Sequence, residues 1–359
     1  MSLISVIRSF QEGGLRRLGA ASLVGVMLSA GSVGAVQAQT APKSKLTVAV
    51  ASASFAWLPY LVAAGAGYIG EEGIEVENVS IGTNTAPIAA LLSGSVDVAA
   101  VGVQAALAAV AKKQPIRVLT PLSSEFTSMM FARKDSLSKA KISPDAPIEQ
   151  RVRALKGMKV AVCSAGCSTD LLLRHLLATY APELNPDRDL QIVPIVEASS
   201  VLASMSRGLV DVAMFSPPVP QKAAADGYAQ VYIDTIAGEV PATRGMLFTA
   251  LLITEKSLKE RPQELRGLVR ALDRALKLIH ADPVKAGAAA RQFMPKMDDD
   301  LWNAAMRKVV AATPKDPFVS VEGLKKYGAL ISSGGNKYEV NYDALPVNDL
   351  VAAALKEKR

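Results

Sequence analysis

Histidine and cysteine are nearly missing from this 359-residue chain, which has two of each. Metal sites and Ser-His or Cys-His nucleophile pairs draw on these residue types. Their scarcity removes most metalloenzyme and hydrolase readings. No run of Lys or Arg interrupts the sequence, and the formal net charge is only +7. So mild a basic excess, without a cationic cluster, argues against a nucleic-acid partner. Beyond the first 36 residues no second membrane-spanning segment is expected.

The first residues read as an address. Arg8, Arg16 and Arg17 precede an uncharged run from Leu18 to Val36, and Val36-Gln37-Ala38 fits a small-residue cleavage site. Residues 1–38 are therefore expected to be a signal peptide cut after about Ala38, and the alternative is a membrane anchor. Leu15 stands where a twin-Arg signal has Ser or Thr, so ordinary export is expected. No Cys follows the cleavage point to take a lipid. Removal takes three Arg and one Glu, lowering the net charge by two to +5.

The remaining chain suits one large or two medium domains, and half the sequence is apolar. One phrase occurs twice. Leu91-Leu92-Ser93-Gly94-Ser95-Val96-Asp97-Val98-Ala99 returns as Ala203-Ser204-Met205-Ser206-Arg207-Gly208-Leu209-Val210-Asp211-Val212-Ala213. Each copy reads as a helix end, a Gly stop and a short apolar strand, which predicts two similarly built lobes. Asp97 and Asp211 sit at the strand start, away from any ligand, and are expected to hold the turn through backbone N–H groups.

Apolar β-rich runs alternate with helical patterns, predicting α/β lobes, each a doubly wound, mostly parallel sheet flanked by helices. Strands are expected at 46–51, 73–79, 98–101, 116–119, 129–132, 159–162, 190–196, 211–215, 230–233 and 246–253. Lys134 to Arg153 reads as a polar loop with a short helix, and from Leu258 the pattern is helical only. The expected division is lobe 1 from 39–128 and 244–359, with lobe 2 (129–243) inserted and two chain crossings as the hinge.

In open parallel sheets ligands sit past the carboxyl ends of the strands. Small polar residues gather there: Ser52, Ser54, Phe55 and Trp57 after the first strand; Thr83, Asn84 and Thr85 after the second; Gly102 and Gln104 after the third. In the second lobe they are Ser164, Gly166, Ser168 and Thr169, then Ser216 and Pro217. Backbone N–H groups and helix dipoles at such points bind carboxylate, sulfonate or phosphate without a buried cation. The plainer role for these hydroxyls is helix capping. None of the three Ser/Thr-rich loops has the Walker or GxGxxG form, so nucleotide is not expected. Phe55, Trp57 and Phe215 are candidates for stacking on a planar ligand, with core packing the alternative. Arg244 is a candidate anion clamp.

Cys163 and Cys167 lie four apart. A small loop disulfide, inert thiols and an activated thiolate at a helix start are all open. A metal would need more ligands, and His175 is a poor third, so no metal and no cofactor is expected.

The chain resembles the solute-binding proteins of ABC importers in the nitrate/sulfonate/taurine family. The resemblance rests on Leu155-Lys156-Gly157-Met158-Lys159-Val160-Ala161-Val162, on Gly208-Leu209-Val210-Asp211-Val212-Ala213 with Pro217 following, and on the helix after Pro262-Gln263-Glu264-Leu265. It implies a two-lobed type II periplasmic binding protein fold, a periplasmic location and capture of a small-molecule anion by lobe closure. It further implies delivery to an inner-membrane ABC permease, by a monomer without catalysis. Carried over by position, its ligand loops fall on Ser54, Thr83 to Thr85, Gly102 to Gln104, Ser164 to Thr169 and Ser216-Pro217; the Cys pair departs from its pattern. Two alternatives share the fold: a thiamine-pyrimidine-synthase-like enzyme, expected to need iron-binding His and a Cys-rich loop, and a periplasmic sensor partner.

Overall fold

The computed structural model describes residues 44–50, 54–81, 86–333 and 338–357. The expected signal peptide and four expected site residues, Ser52, Thr83, Asn84 and Thr85, lie outside the described residues.

Ten strands form two five-stranded sheets. The first holds β1 (Ser44–Val50), β2 (Ile74–Val79), β3 (Val98–Gly102), β4 (Ile116–Ser123) and β10 (Thr249–Thr254), in the order β2-β1-β3-β10-β4. The second holds β5 (Met129–Arg133), β6 (Lys159–Val162), β7 (Gln191–Pro194), β8 (Val212–Phe215) and β9 (Ala229–Ile233), in the order β7-β6-β8-β5-β9. The two orders are the same pattern. In each, the first strand of a βα series lies between the second and third, pairing parallel with both. One antiparallel strand then separates the third from the last: β10 in one sheet and β5 in the other. Each lobe is thus a mixed α/β sheet, parallel but for the strand that arrives from the other lobe.

The doubled phrase occupies equivalent places in the two sheets. Val48 pairs with Val98 and Val160 pairs with Val212. Gly94 and Gly208 take the left-handed stop at φ +76 and +73. Asp97 Oδ2 accepts the Thr47 N–H at 2.8 Å, and Asp211 Oδ2 accepts the Lys159 N–H at 2.9 Å. Asp97 thus holds the middle of β1 and Asp211 the first residue of β6, both away from the carboxyl ends of the strands where a ligand would sit.

Local departures from the sequence reading have local causes. Lys134 to Arg153 contains two short helices, Lys134–Lys139 and Ile148–Arg153. The return strand begins at Thr249, because Met246 to Phe248 spends its N–H groups on Thr243, Gly323 and Ser123 in the chain crossing.

The C-terminal helices complete the core. Pro262–Ala281 buries Leu265, Leu268, Val269, Leu272, Ala275 and Ile279, one face of a 3.6-residue period, in the core beside the first sheet. The Asp299–Val310 helix is capped by Asp298, whose carboxylate accepts the Leu301 N–H. The tail does not keep to one lobe. The Val321–Ser333 helix packs on both the Val103–Ala111 helix of the first sheet and the Ser168–Tyr180 helix of the second.

Candidate functional site

A cavity of about 220 Å³ lies between the carboxyl ends of the two sheets. The first lobe supplies Ser54, Trp57, Pro87, Gly102, Gln104 and Thr249 to its wall. The second supplies Ser128, Cys163, Ser168, Thr169, Met214 and Ser216. Four helix starts converge on it. Ser54 caps the 3₁₀ turn Phe55–Trp57, which leads into Leu58–Gly65, by accepting the Ala56 N–H. Gly102 precedes Val103–Ala111, Cys167 precedes Ser168–Tyr180, and neither has a side-chain cap. Ser216 lies just before the cis Pro217-Pro218 bond and the Val219–Ala225 helix. The first N–H groups of a helix have no partner within it, and its dipole puts positive potential there.

No Lys, Arg, His, Asp or Glu lines this cavity among the described residues. Its polar groups are hydroxyls, one carboxamide and backbone, and the rest is apolar: Trp57, Val101, Met214, Phe215 and Phe248. Several hydroxyls are fixed by partners in the chain crossings. Ser216 Oγ lies 3.0 Å from Thr127 Oγ1 and 3.1 Å from Ser128 Oγ. Thr249 Oγ1 donates to the Ala56 carbonyl and meets Ser123 Oγ at 2.7 Å. Behind Phe248 stands Tyr327, its ring stacked at 6.4 Å and its hydroxyl pushed well above the ordinary range by burial, so it stays neutral.

Cys163 and Cys167 are joined in a disulfide, and both face the cavity. Thr169 Oγ1 accepts the Cys163 N–H, and the buried Asp170 carboxylate accepts the Gly166 N–H. Arg174 offsets that carboxylate one helical turn on. Across the cleft, Gln104 Nε2 donates to the Gly166 carbonyl at 2.7 Å.

Of the expected site residues, Ser54, Trp57, Gly102, Gln104, Ser168, Thr169 and Ser216 come together around the cavity. Ser164 and Gly166 line an adjoining outer groove, and Pro217 is not on the wall. Phe55 is buried in the first lobe's core with its ring 4.9 Å from that of Trp302. Arg244 lies away from the cavity, its Nε donating to the Gly238 carbonyl. The sequence reading missed Pro87, Ser128, Val196, Met214, Phe248 and Thr249. Ser128 and Thr249 had a usable signal, since each borders a strand that crosses between lobes. His280, in the last turn of its helix, bonds through Nε2 to the Pro314 carbonyl outside that helix, and it is remote from His175, which meets Ser333. Among the described residues no three His, Cys, Asp or Glu are grouped to hold a metal ion.

A family model, the NMT1-like family, matches residues 39–293, well over half of the sequence. The chain belongs to the NMT1-like family. No curated protein matches it by sequence. Solved structures show the fold. A Bordetella bronchiseptica protein superposes with a TM-score of 0.74 at 20% identity, covering 87% of this chain and 97% of that one. The periplasmic aliphatic sulphonate binding protein SsuA from Escherichia coli gives 0.65 at 16% identity, covering 86% and 99%. The ligand-binding component of an ABC-type import system from Staphylococcus aureus, with zinc bound, gives 0.69 at 12% identity, covering 87% and 99%. This NMT1-like chain therefore has the two-lobed periplasmic binding protein fold.

Proposed function

We propose that this protein is the exported solute-binding component of an ABC importer, and that it captures a small organic anion between its lobes. The observation that carries the reading is the inter-lobe cavity itself. Uncharged helix starts and fixed hydroxyls converge on it from both sheets, interleaved with aromatic and apolar side chains. Helix N-termini and oriented hydroxyls hold a carboxylate or sulfonate without a buried counter-cation, whose desolvation would be costly. The apolar wall favours an organic body over a bare inorganic ion. A volume of about 220 Å³ is below the roughly 300–1,000 Å³ typical of drug-sized ligands, so the solute is small. The family match beginning at residue 39, directly after the expected cut at Ala38, supports export and a periplasmic location. The lobes would deliver the solute to an inner-membrane permease with a cytoplasmic ATPase, working as a monomer and without catalysis.

Thermal-shift and calorimetric titration of purified mature protein tests this. Small sulfonates and carboxylates are expected to raise the melting temperature in a saturable way. No response to any organic anion, with inorganic anions or neutral solutes binding instead, would overturn it.

A further inference from the structure

The inner cavity has a neighbour. An outer groove of about 420 Å³ runs between the helices Ala86–Ser93 and Val103–Ala111 of the first lobe and the 163–167 loop of the second. Inner cavity and groove share Gln104, Ala105 and Cys167 in their walls. The partition between them is therefore the place where Gln104 Nε2 donates to the Gly166 carbonyl at 2.7 Å. This contact joins residues 62 apart in sequence and spans the two lobes. Beyond the partition the groove is apolar along Ile88, Leu92 and Ala108, and ends at Gln114 and Lys112.

The carbonyl that Gln104 grips is held in place from several sides. Gly166 sits at φ +71, a conformation natural to glycine. Its N–H is bound by the Asp170 carboxylate at 2.7 Å. The loop on either side of it is closed by the Cys163–Cys167 disulfide, and the Cys163 N–H is tied to Thr169 Oγ1. Gln104 itself projects from the first turn of a helix rooted on β3, and the preceding Val103 N–H is fixed to the Phe248 carbonyl. Both halves of the partition are thus preorganised.

We propose that Gln104 is a specificity-determining residue that sets the length of solute this protein accepts, with the disulfide loop positioning its partner carbonyl. The inference rests on the organic-anion reading above. A solute that fits the inner cavity leaves the Gln104–Gly166 bond intact. One whose tail passes between them must break it, and leaves a carboxamide and a carbonyl to find other partners. The net worth of one such bond corresponds to about a five- to tenfold change in affinity. Removing the carboxamide joins cavity and groove, so a longer apolar tail gains a path along Leu92 and Ala108.

The test is calorimetric titration of the mature protein with straight-chain alkanesulfonates from ethanesulfonate to octanesulfonate and straight-chain alkanoates from propionate to nonanoate. Wild type is expected to bind more tightly with each added methylene until the tail reaches Gln104, and then less tightly. In Gln104→Ala the break moves to longer chains, and the long-to-short affinity ratio rises by about tenfold, with the shortest members little changed. Gln104→Glu supplies a readout that mere packing would not move. Read with the alkanesulfonates, which stay ionised, its carboxylate at neutral pH repels both the Gly166 carbonyl and the anionic solute, whereas the protonated acid can donate to that carbonyl, so affinity and the wild-type length limit return together on acidification. Wild-type affinity that climbs unbroken to octanesulfonate and nonanoate, or a break that Gln104→Ala leaves in place, overturns the proposal while leaving solute binding intact. If no member of either series binds wild type, this proposal falls, and the organic-anion reading falls with it only when other organic anions also fail to bind.

Discussion

Asp97 and Asp211 occupy one structural position in two different lobes. Each precedes the third strand of its βα series, and each carboxylate accepts the backbone N–H of the first strand beside it, Thr47 in one lobe and Lys159 in the other. Each has a further partner for its second oxygen, Arg261 at 2.7 Å for Asp97 and the Ser136 hydroxyl at 2.7 Å for Asp211. A hydrogen bond to a charged acceptor contributes about 1.5–3 kcal/mol. Asp97→Ala and Asp211→Ala are each expected to lower unfolding free energy by about 2 kcal/mol in urea titrations. Solute affinity should stay unchanged, because neither side chain approaches the cavity. A large loss of affinity with unchanged stability would contradict the scaffold role.

The two tryptophans report on different places. Trp57 lines the cavity, whereas Trp302 packs against Phe55 and under Arg291 in the first lobe's core. A bound solute displaces water from the Trp57 ring and leaves Trp302 as it was. Emission should therefore shift on solute addition in wild type and in Trp302→Phe, and the shift should vanish in Trp57→Phe. Persistence of the signal in Trp57→Phe would place the solute elsewhere.

The disulfide closes a loop of only a few residues, since its cysteines are four apart in sequence. Loop-closure entropy grows with length, so so short a bridge stands at the low end of the usual range, about 2 kcal/mol. The paired variant Cys163→Ser/Cys167→Ser should lose about that much in denaturant titrations and still fold. Its larger effect is expected on solute affinity, since the bridge shapes the wall on which Cys163, Cys167 and Thr169 meet the ligand. Equal affinity in the oxidised wild type and the paired variant would reduce the bridge to a stabilising clip.

Most of the architecture was legible because its signals are local. Apolar runs such as Lys159–Val162 and Val212–Phe215, and the repeated Gly-x-x-Asp phrase, mark strands and their order wherever they stand in the chain. Phe55 shows where local reading fails. It stands beside Trp57 in a strand-end loop and so reads as a candidate for stacking on a ligand, but Ser54 caps a separate 3₁₀ turn, Phe55–Trp57, before the helix begins at Leu58. With three residues per turn, that segment sends Phe55 into the core and Trp57 to the cavity. Arg244 fails for another reason. Its guanidinium is held by the Gly238 carbonyl, six residues back in the same crossing, and no periodicity announces such a bond. Phe248 reaches the cavity only because the chain crosses back ahead of β10 into the first sheet, a long-range fact.

One pH response follows from His175. It lies on the Ser168–Tyr180 helix, where its Nδ1 meets Ser333 Oγ of the Val321–Ser333 helix at 2.8 Å. The Ser333 hydroxyl donates its proton to the Leu330 carbonyl, so the imidazole Nδ1–H donates to Ser333 Oγ. Burial disfavours the imidazolium and lowers the His175 pKa below its ordinary 6.5. The folded state therefore takes up this proton at lower pH than the unfolded chain does. Stability from this group is fully present above 6.5 and is lost as pH falls from there through the lowered folded value. Thermal unfolding followed from pH 8 down to about 5 should show the melting temperature declining below the ordinary histidine pKa of about 6.5. His175→Asn, which cannot titrate, should flatten that part of the curve. A wild-type decline that His175→Asn leaves unaltered would assign it to other groups.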